Sequence, residues 1–132
     1  MKYKILLVED DAWLAQLYQD ILQTEKACDV LVASSADMAL DQLDKHPKIK
    51  LILLDMVLPG HNGIEFLHEV ASYADISEIP VIVLSSIYQH DFAITPDRWK
   101  HYGVKQYLYK PQTKPEDLLA AVKRQLAVEV AA

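Results

Sequence analysis

The chain is poor in the residues that mark several protein classes. It has one cysteine, Cys28, among 132 residues. An internal disulfide is therefore excluded, and Cys28 reads as a small core hydrophobe. Glycine occurs only three times and proline six, too seldom for a fibrous or low-complexity chain. No apolar run approaches the length of a membrane span. The N-terminal Met1-Lys2-Tyr3-Lys4 is basic, but the apolar stretch after it, Ile5 to Val8, is too short for a secretory signal. Positive charge is also scarce: 13 lysines and arginines face 19 acids, for a net charge of −6. That balance, with no basic stripe against it, disfavours nucleic acid as a direct partner. A soluble cytoplasmic protein without membrane contact is the expectation.

What the chain does have is 52% hydrophobic residues, enough for one sizeable core in a single domain spanning 1–132. Short apolar runs alternate with helix-period segments. "YKILLV" (3–8) ends in Glu9-Asp10-Asp11. Leu14, Leu17, Tyr18, Ile21 and Leu22 then recur on one helical face. "VLVA" (30–33) is a second strand, followed by a helix capped at Ser34 or Ser35 that stops before Pro47. "LILL" (51–54) is the third strand, and Asn62 with Glu65 opens the next helix. "PVIVL" (80–84) and "QYLY" (106–109) are the fourth and fifth strands. Thr113-Lys114-Pro115-Glu116 starts a last helix ending near Val128. Strands this apolar are covered on both faces, as in a parallel sheet. The fold class is α/β: a (βα)5 doubly wound, five-stranded parallel sheet in flavodoxin-like order 2-1-3-4-5.

In such a sheet, ligands sit outside the carboxyl ends of the strands. The residues leaving the strands are Glu9 and Asp10, then Asp55, Ser85 and Lys110. Clustered carboxylates repel by roughly 4 kcal/mol per pair at about 4 Å and an effective dielectric of 20. They must raise a pKa or recruit a cation. An all-oxygen donor set with no histidine suits Mg²⁺ rather than zinc or copper. Carboxylate, Mg²⁺, ammonium and hydroxyl together can hold and neutralise a transferring phosphoryl group. Taken singly, Glu9 and Asp10 also read as helix-dipole partners, Ser85 as a strand-end hydroxyl and Lys110 as a surface lysine. Asp55, at the strand's presenting end, need not be buried; its pocket is shared and its charge partly offset by Mg²⁺ and Lys110.

Four segments in order, "ILLVEDD", "LILLDMVLPGHNG", "PVIVLSS" and "YLYKP", resemble the receiver domain of two-component response regulators over about residues 3–128. The resemblance implies that Asp55 accepts a phosphoryl group from a histidine kinase or histidine phosphotransfer protein. Asp10, Asp55 and the backbone carbonyl of Val57 would bind Mg²⁺, with Glu9 acting through water. Lys110 would pair with the phosphoryl group, Ser85 would bond to it, and Tyr107 would be the aromatic that turns with the switch. The family reads the change on the face of helix 4, strand 5 and helix 5. The protein would not be a conventional enzyme, catalysing only its own phosphoryl transfer and slow self-dephosphorylation. No effector domain is expected within the chain, which is either a stand-alone receiver or part of a longer regulator.

The stretch from Ser85 to Lys110 departs from the family by being a few residues longer. Thr95-Pro96-Asp97 predicts a short helix over about 96–102 ending at Gly103, with Trp99 read as either core or partner surface. Residues 86–95 then form an extended loop over the site. "GVKQYL" lacks the acids that DNA-binding members use to dimerise here. Val57 and Ile87 are both apolar at positions that influence dephosphorylation, so the phosphorylated state is expected to be long-lived. Two other readings stand beside this one. A receiver-like binding module would keep the fold without phosphorylation. A Mg²⁺ phosphatase of the haloacid-dehalogenase kind would need a second acid where Val57 stands.

Overall fold

In the computed structural model, which describes residues 2–60 and 62–131, five parallel strands form one sheet in the order β2-β1-β3-β4-β5. The strands are β1 (Tyr3–Val8), β2 (Cys28–Ala33), β3 (Ile49–Leu54), β4 (Val81–Ser85) and β5 (Val104–Tyr109). Between and after them run α1 (Ala12–Gln23), α2 (Ala36–Lys45), α3 (Gly63–Ala71), α4 (Pro96–His101) and α5 (Pro115–Ala131). Two 3-10 turns, Gln89–Phe92 and Lys110–Gln112, follow β4 and β5.

Side chains alternate across the strands, and both faces of the sheet are covered. Ile52 and Leu54 of β3 enter a layer with Phe66, Leu67 and Trp99 from α3 and α4. Leu51 and Leu53 enter the opposite layer with Leu22 of α1 and Leu118 and Val122 of α5. This two-sided burial is why β3 reads as an unbroken apolar run. Each such Leu or Phe contributes about 1.5–3 kcal/mol through burial. Cys28 is buried with the α1–α5 layer and is unpaired.

The helix starts follow from their capping residues. Asp11, Ser35, Asn62 and Thr95 each accept a backbone N–H three residues on, opening α1, α2, α3 and α4. Such caps are worth about 1 kcal/mol apiece. Helix α4 ends at Gly103, whose φ of +75° is the left-handed terminator conformation. Gly63 is required for another reason: a Cβ there would lie 2.7 Å from the Met56 Cα. The chain leaving β3 packs that closely on the start of α3.

Boundaries differ at the polar ends of three strands. β2, β3 and β5 each begin two residues before the expected 30, 51 and 106, because a backbone ladder tolerates the half-buried Asp29, which pairs with Lys4, and Lys50 and Lys105 at exposed positions. Helix α5 continues past 128 to Ala131. The stretch 86–95 is not simply extended. Its 3-10 turn carries Phe92 inward, with ring centroids 6.1 Å from Trp99 and 6.3 Å from Tyr107. Aromatic burial folds the segment onto α4 and β5.

Candidate functional site

β1, β3 and β5 all deliver residues to the same end of the sheet. Parallel pairing puts Val8 beside Leu54, so Glu9 and Asp10 leave next to Asp55. The Asp55 N–H donates to the Val8 carbonyl at 3.0 Å, and the Glu9 N–H to the Ala33 carbonyl at 3.0 Å. These bonds carry the ladder just past the strands and hold the first acid of each segment against its neighbour. Ligand oxygens of Glu9, Asp10 and Asp55 lie within 4.8 Å of one another.

Lys110 arrives from β5 and crosses the cluster. Its Nζ donates to Glu9 Oε1 at 2.7 Å and to Asp55 Oδ2 at 3.2 Å. It also lies 5.9 Å from the centre of the Tyr18 ring on α1. The Val57 N–H donates to Asp55 Oδ1 at 3.1 Å. The Asp11 N–H donates to Glu9 Oε2 at 3.3 Å while the Asp11 side chain caps α1. Asp55 is only 7% exposed and Glu9 2%. The expectation that Asp55 need not be buried is thus corrected: Lys110 covers it on one side and the turn through Val57 on another. Asp10 remains exposed.

The electrostatics follow from this burial. Desolvation drives the Glu9 carboxyl up to about 7; the Lys110 bond opposes the shift and the Asp55 charge adds to it. For Lys110, burial acts downward, yet the bond to Glu9 and the charges of Asp55 and Glu9 leave it raised overall. Lys110 therefore keeps its proton, and Glu9 is the group pushed towards neutrality. Three carboxyl groups meet one ammonium, and a divalent cation would supply further positive charge. The donors are all oxygen, as Mg²⁺ prefers. The chemistry of the set fits that ion: Glu9, Asp10 and Asp55 could hold it, with Val57 beside them.

Ser85 is fully buried at the end of β4, and its Oγ accepts the Ile87 N–H at 3.2 Å. Tyr107 donates its hydroxyl to the Ile87 carbonyl and packs its ring 5.7 Å from Trp99. Ser85 and Tyr107 thus meet on Ile87. Neither bonds directly to the Asp55–Lys110 pair. Val57 is 49% exposed and forms an isolated bridge with Asn62.

Sequence reasoning missed two features. Tyr18 was read only as part of a helical face, although its ring meets Lys110. Tyr88 stacks on Tyr109 with ring centroids 4.0 Å apart and planes 21° apart. Only the abundance of tyrosine around β5 hinted at that stack.

Comparison with known proteins identifies the family and the fold. The family profile described as "Response regulator receiver domain" matches residues 5–123. The Phosphate regulon transcriptional regulatory protein PhoB of Escherichia coli (strain K12) is 31% identical over 93% of this chain and 51% of its own length. The probable transcriptional regulator ycf29 of Pyropia yezoensis is 33% identical over 98% of this chain and 56% of its own. The chain thus spans about half the length of these relatives. The crystal structure of a putative response regulator from Chloroflexus aurantiacus superposes with a TM-score of 0.80 at 27% identity, covering 96% of this chain and 99% of that one.

Proposed function

The chain belongs to the response regulator receiver domain family, and from that premise we propose that it is a phosphorylation-dependent switch of a two-component system with Asp55 as phosphoacceptor. One observation carries the reading. Lys110, Asp55 and Glu9 are in direct contact at the sheet's carboxyl edge, with Asp10 at the same cluster.

In the proposed reaction an Asp55 carboxylate oxygen attacks the phosphorus of a phosphohistidine on a kinase or phosphotransfer protein. The new O–P bond forms as the P–N bond breaks, and the released imidazole takes up a proton. Lys110, already 3.2 Å from Asp55, pairs with the incoming phosphoryl oxygens. The Val57 N–H, which holds Asp55 Oδ1, keeps the nucleophile oriented. Mg²⁺ would be held by Asp10, Asp55 and the Val57 carbonyl, with Glu9 through water, and when bound supplies positive charge against the phosphoryl group. The phosphoryl group adds roughly −1.5 to −2 of charge. Ser85, now bonded to the Ile87 N–H, would turn to it. Tyr107 shares Ile87 with Ser85 and would carry the change to the surface of α4, β5 and α5.

The test is intact mass after incubation with a small acyl phosphate and Mg²⁺. Wild type gains the mass of one phosphoryl group and Asp55→Asn gains none. No adduct on wild type would favour a binding module, and rapid turnover of many phosphoesters a phosphatase. The exposed apolar Val57 side chain offers nothing to orient an attacking water. Val57→Asn is therefore expected to shorten the lifetime of the adduct, and an equal or longer lifetime would count against this account.

A further inference from the structure

No lysine or arginine occurs between Lys50 and Arg98, while seven acids do. The fold sets part of that stretch, α3 and the loop after it with Glu65, Glu69, Asp75 and Glu78, beside α2 with Asp37, Asp41 and Asp44. The lysines of this region are Lys45, Lys48 and Lys50, and Lys45 is held by Asp41 at 2.9 Å. Asp44 stands in the last turn of α2, the negative end of the helix dipole, where a carboxylate is unfavourable. Asp44, Asp75 and Glu78 are exposed. Among the described residues their carboxylates have no hydrogen bond or ion pair.

A groove runs between these elements. One hollow of about 300 Å³ is lined by Leu43, Ile76 and Ile79 and by Asp44, Asp75 and Glu78. Lys50 is the one lysine of that lining and His46 the one histidine. A second hollow of about 290 Å³ shares Asp44, Asp75 and Ile76 with the first and adds Leu40 and Tyr73. Tyr73, 47% exposed, also borders a third, open hollow with Ile64 and Glu69 of α3. The three follow α3, about 14 Å long for its nine residues, and continue past its end. So long a track suits a chain segment rather than a compact small molecule. Its carboxylates are spaced rather than gathered. Among the described residues, the acids that converge within 4.8 Å are Glu9, Asp10 and Asp55, so the groove lacks the convergence of a metal site.

We infer that this α2–α3 groove docks a short basic, amphipathic segment of a partner protein, with apolar side chains on Leu40, Ile76 and Tyr73 and cations on Asp44, Asp75 and Glu78. The inference goes beyond the switch reading and does not depend on it. None of Glu9, Asp55, Ser85, Tyr107 and Lys110 lines the groove. Its first hollow reaches Ile49 and Pro80, at the amino ends of β3 and β4, opposite the edge that carries Asp55. The groove is therefore a fixed attachment beside a switch, open in both states of Asp55. Nucleic acid is repelled by the acids. A second copy of the chain suits the groove poorly. Its acidic groove would repel this one, and a contact through any other patch is heterologous and need not close.

The experiment pans a phage-displayed random peptide library on the protein in Mg²⁺, with and without beryllofluoride, a phosphoryl mimic. Recovered peptides are expected to be net basic with at least one large apolar residue, and to bind equally in the two conditions. Their affinity should fall roughly tenfold or more for Asp44→Asn/Asp75→Asn and weaken with salt. Tyr73→Ala, which leaves every charge in place, should lower it as well. Both variants change exposed side chains, and an unchanged thermal midpoint checks their fold. Acidic or neutral peptides, no recovered peptide, or wild-type affinity in both variants would overturn the proposal. So would binding that needs the mimic, or self-association of wild type in sedimentation that Asp44→Asn/Asp75→Asn abolishes. Asp55→Asn and the intact-mass assay separate the two levels. Peptide binding kept by Asp55→Asn supports the groove, and its loss there overturns it. A wild type that takes no phosphoryl group overturns the switch reading and leaves the groove standing.

Discussion

At the scale of single residues, Glu9 is the costly member of the site. Its carboxyl is raised from 4.5 to about 7, so the folded state holds a proton that the unfolded chain releases at lower pH. A raised folded pKa gives stability that is complete below about 4.5 and is lost as pH climbs through about 7. Glu9→Gln removes this titration while keeping an oxygen for Lys110. In metal-free buffer the variant should match wild type near pH 4.5 and exceed it by about 1–3 kcal/mol at pH 8, since each pKa unit is worth about 1.4 kcal/mol. Urea denaturation at the two pH values measures the difference, and a gap that does not grow with pH would contradict the assignment. The acids at the strand ends were legible in the sequence because each follows an apolar run. The depth of Asp55 was not, because it depends on where Lys110 lies, 55 positions later.

At the scale of elements, the segment between β4 and α4 is pinned at three consecutive places. The Ile87 N–H is held by Ser85 and the Ile87 carbonyl by Tyr107, while Tyr88 stacks on Tyr109, the residue before Lys110. Stacked aromatic pairs contribute about 0.5–1.5 kcal/mol beyond their burial. Tyr88→Ala should therefore loosen the segment more than it destabilises the domain. Hydrogen exchange at residues 86–92 should accelerate several-fold while the β3 amides keep their protection. Uniform acceleration across the sheet would show a global effect instead. The short α4 was readable from Thr95, Pro96 and Gly103, a cap, a first-turn proline and a left-handed stop. The 3-10 turn before it was not, because so short a turn carries no periodicity and aromatic packing on Trp99 and Tyr107 decides its course.

At the scale of the molecule, the parallel order was readable because β1, β3 and β4 are almost wholly apolar, and only burial on both faces explains such strands. A metal ion held at the sheet's carboxyl edge would also add to stability. A cation that binds the folded cluster and not the unfolded chain stabilises by about 2.7 kcal/mol at a hundredfold excess over its dissociation constant. Mg²⁺ should raise the thermal midpoint of wild type by several degrees and that of Asp10→Asn far less. Asp10 is exposed, so the substitution leaves the core alone. An equal rise in both proteins would place the ion elsewhere. No helix among the described residues is long and apolar enough to cross a membrane.

The bond from Lys110 to Glu9 spans 101 positions and that to Asp55 spans 55, and this order has a consequence in time. A ribosome adding about 5–20 residues each second makes Asp55 roughly 3–11 s before Lys110. Through that interval the emerging chain has Asp55 and the acids after β1 but not the Lys110 ammonium that faces them in the fold. On the reading proposed above, competence for phosphoryl transfer arrives late in synthesis, with the fifth strand.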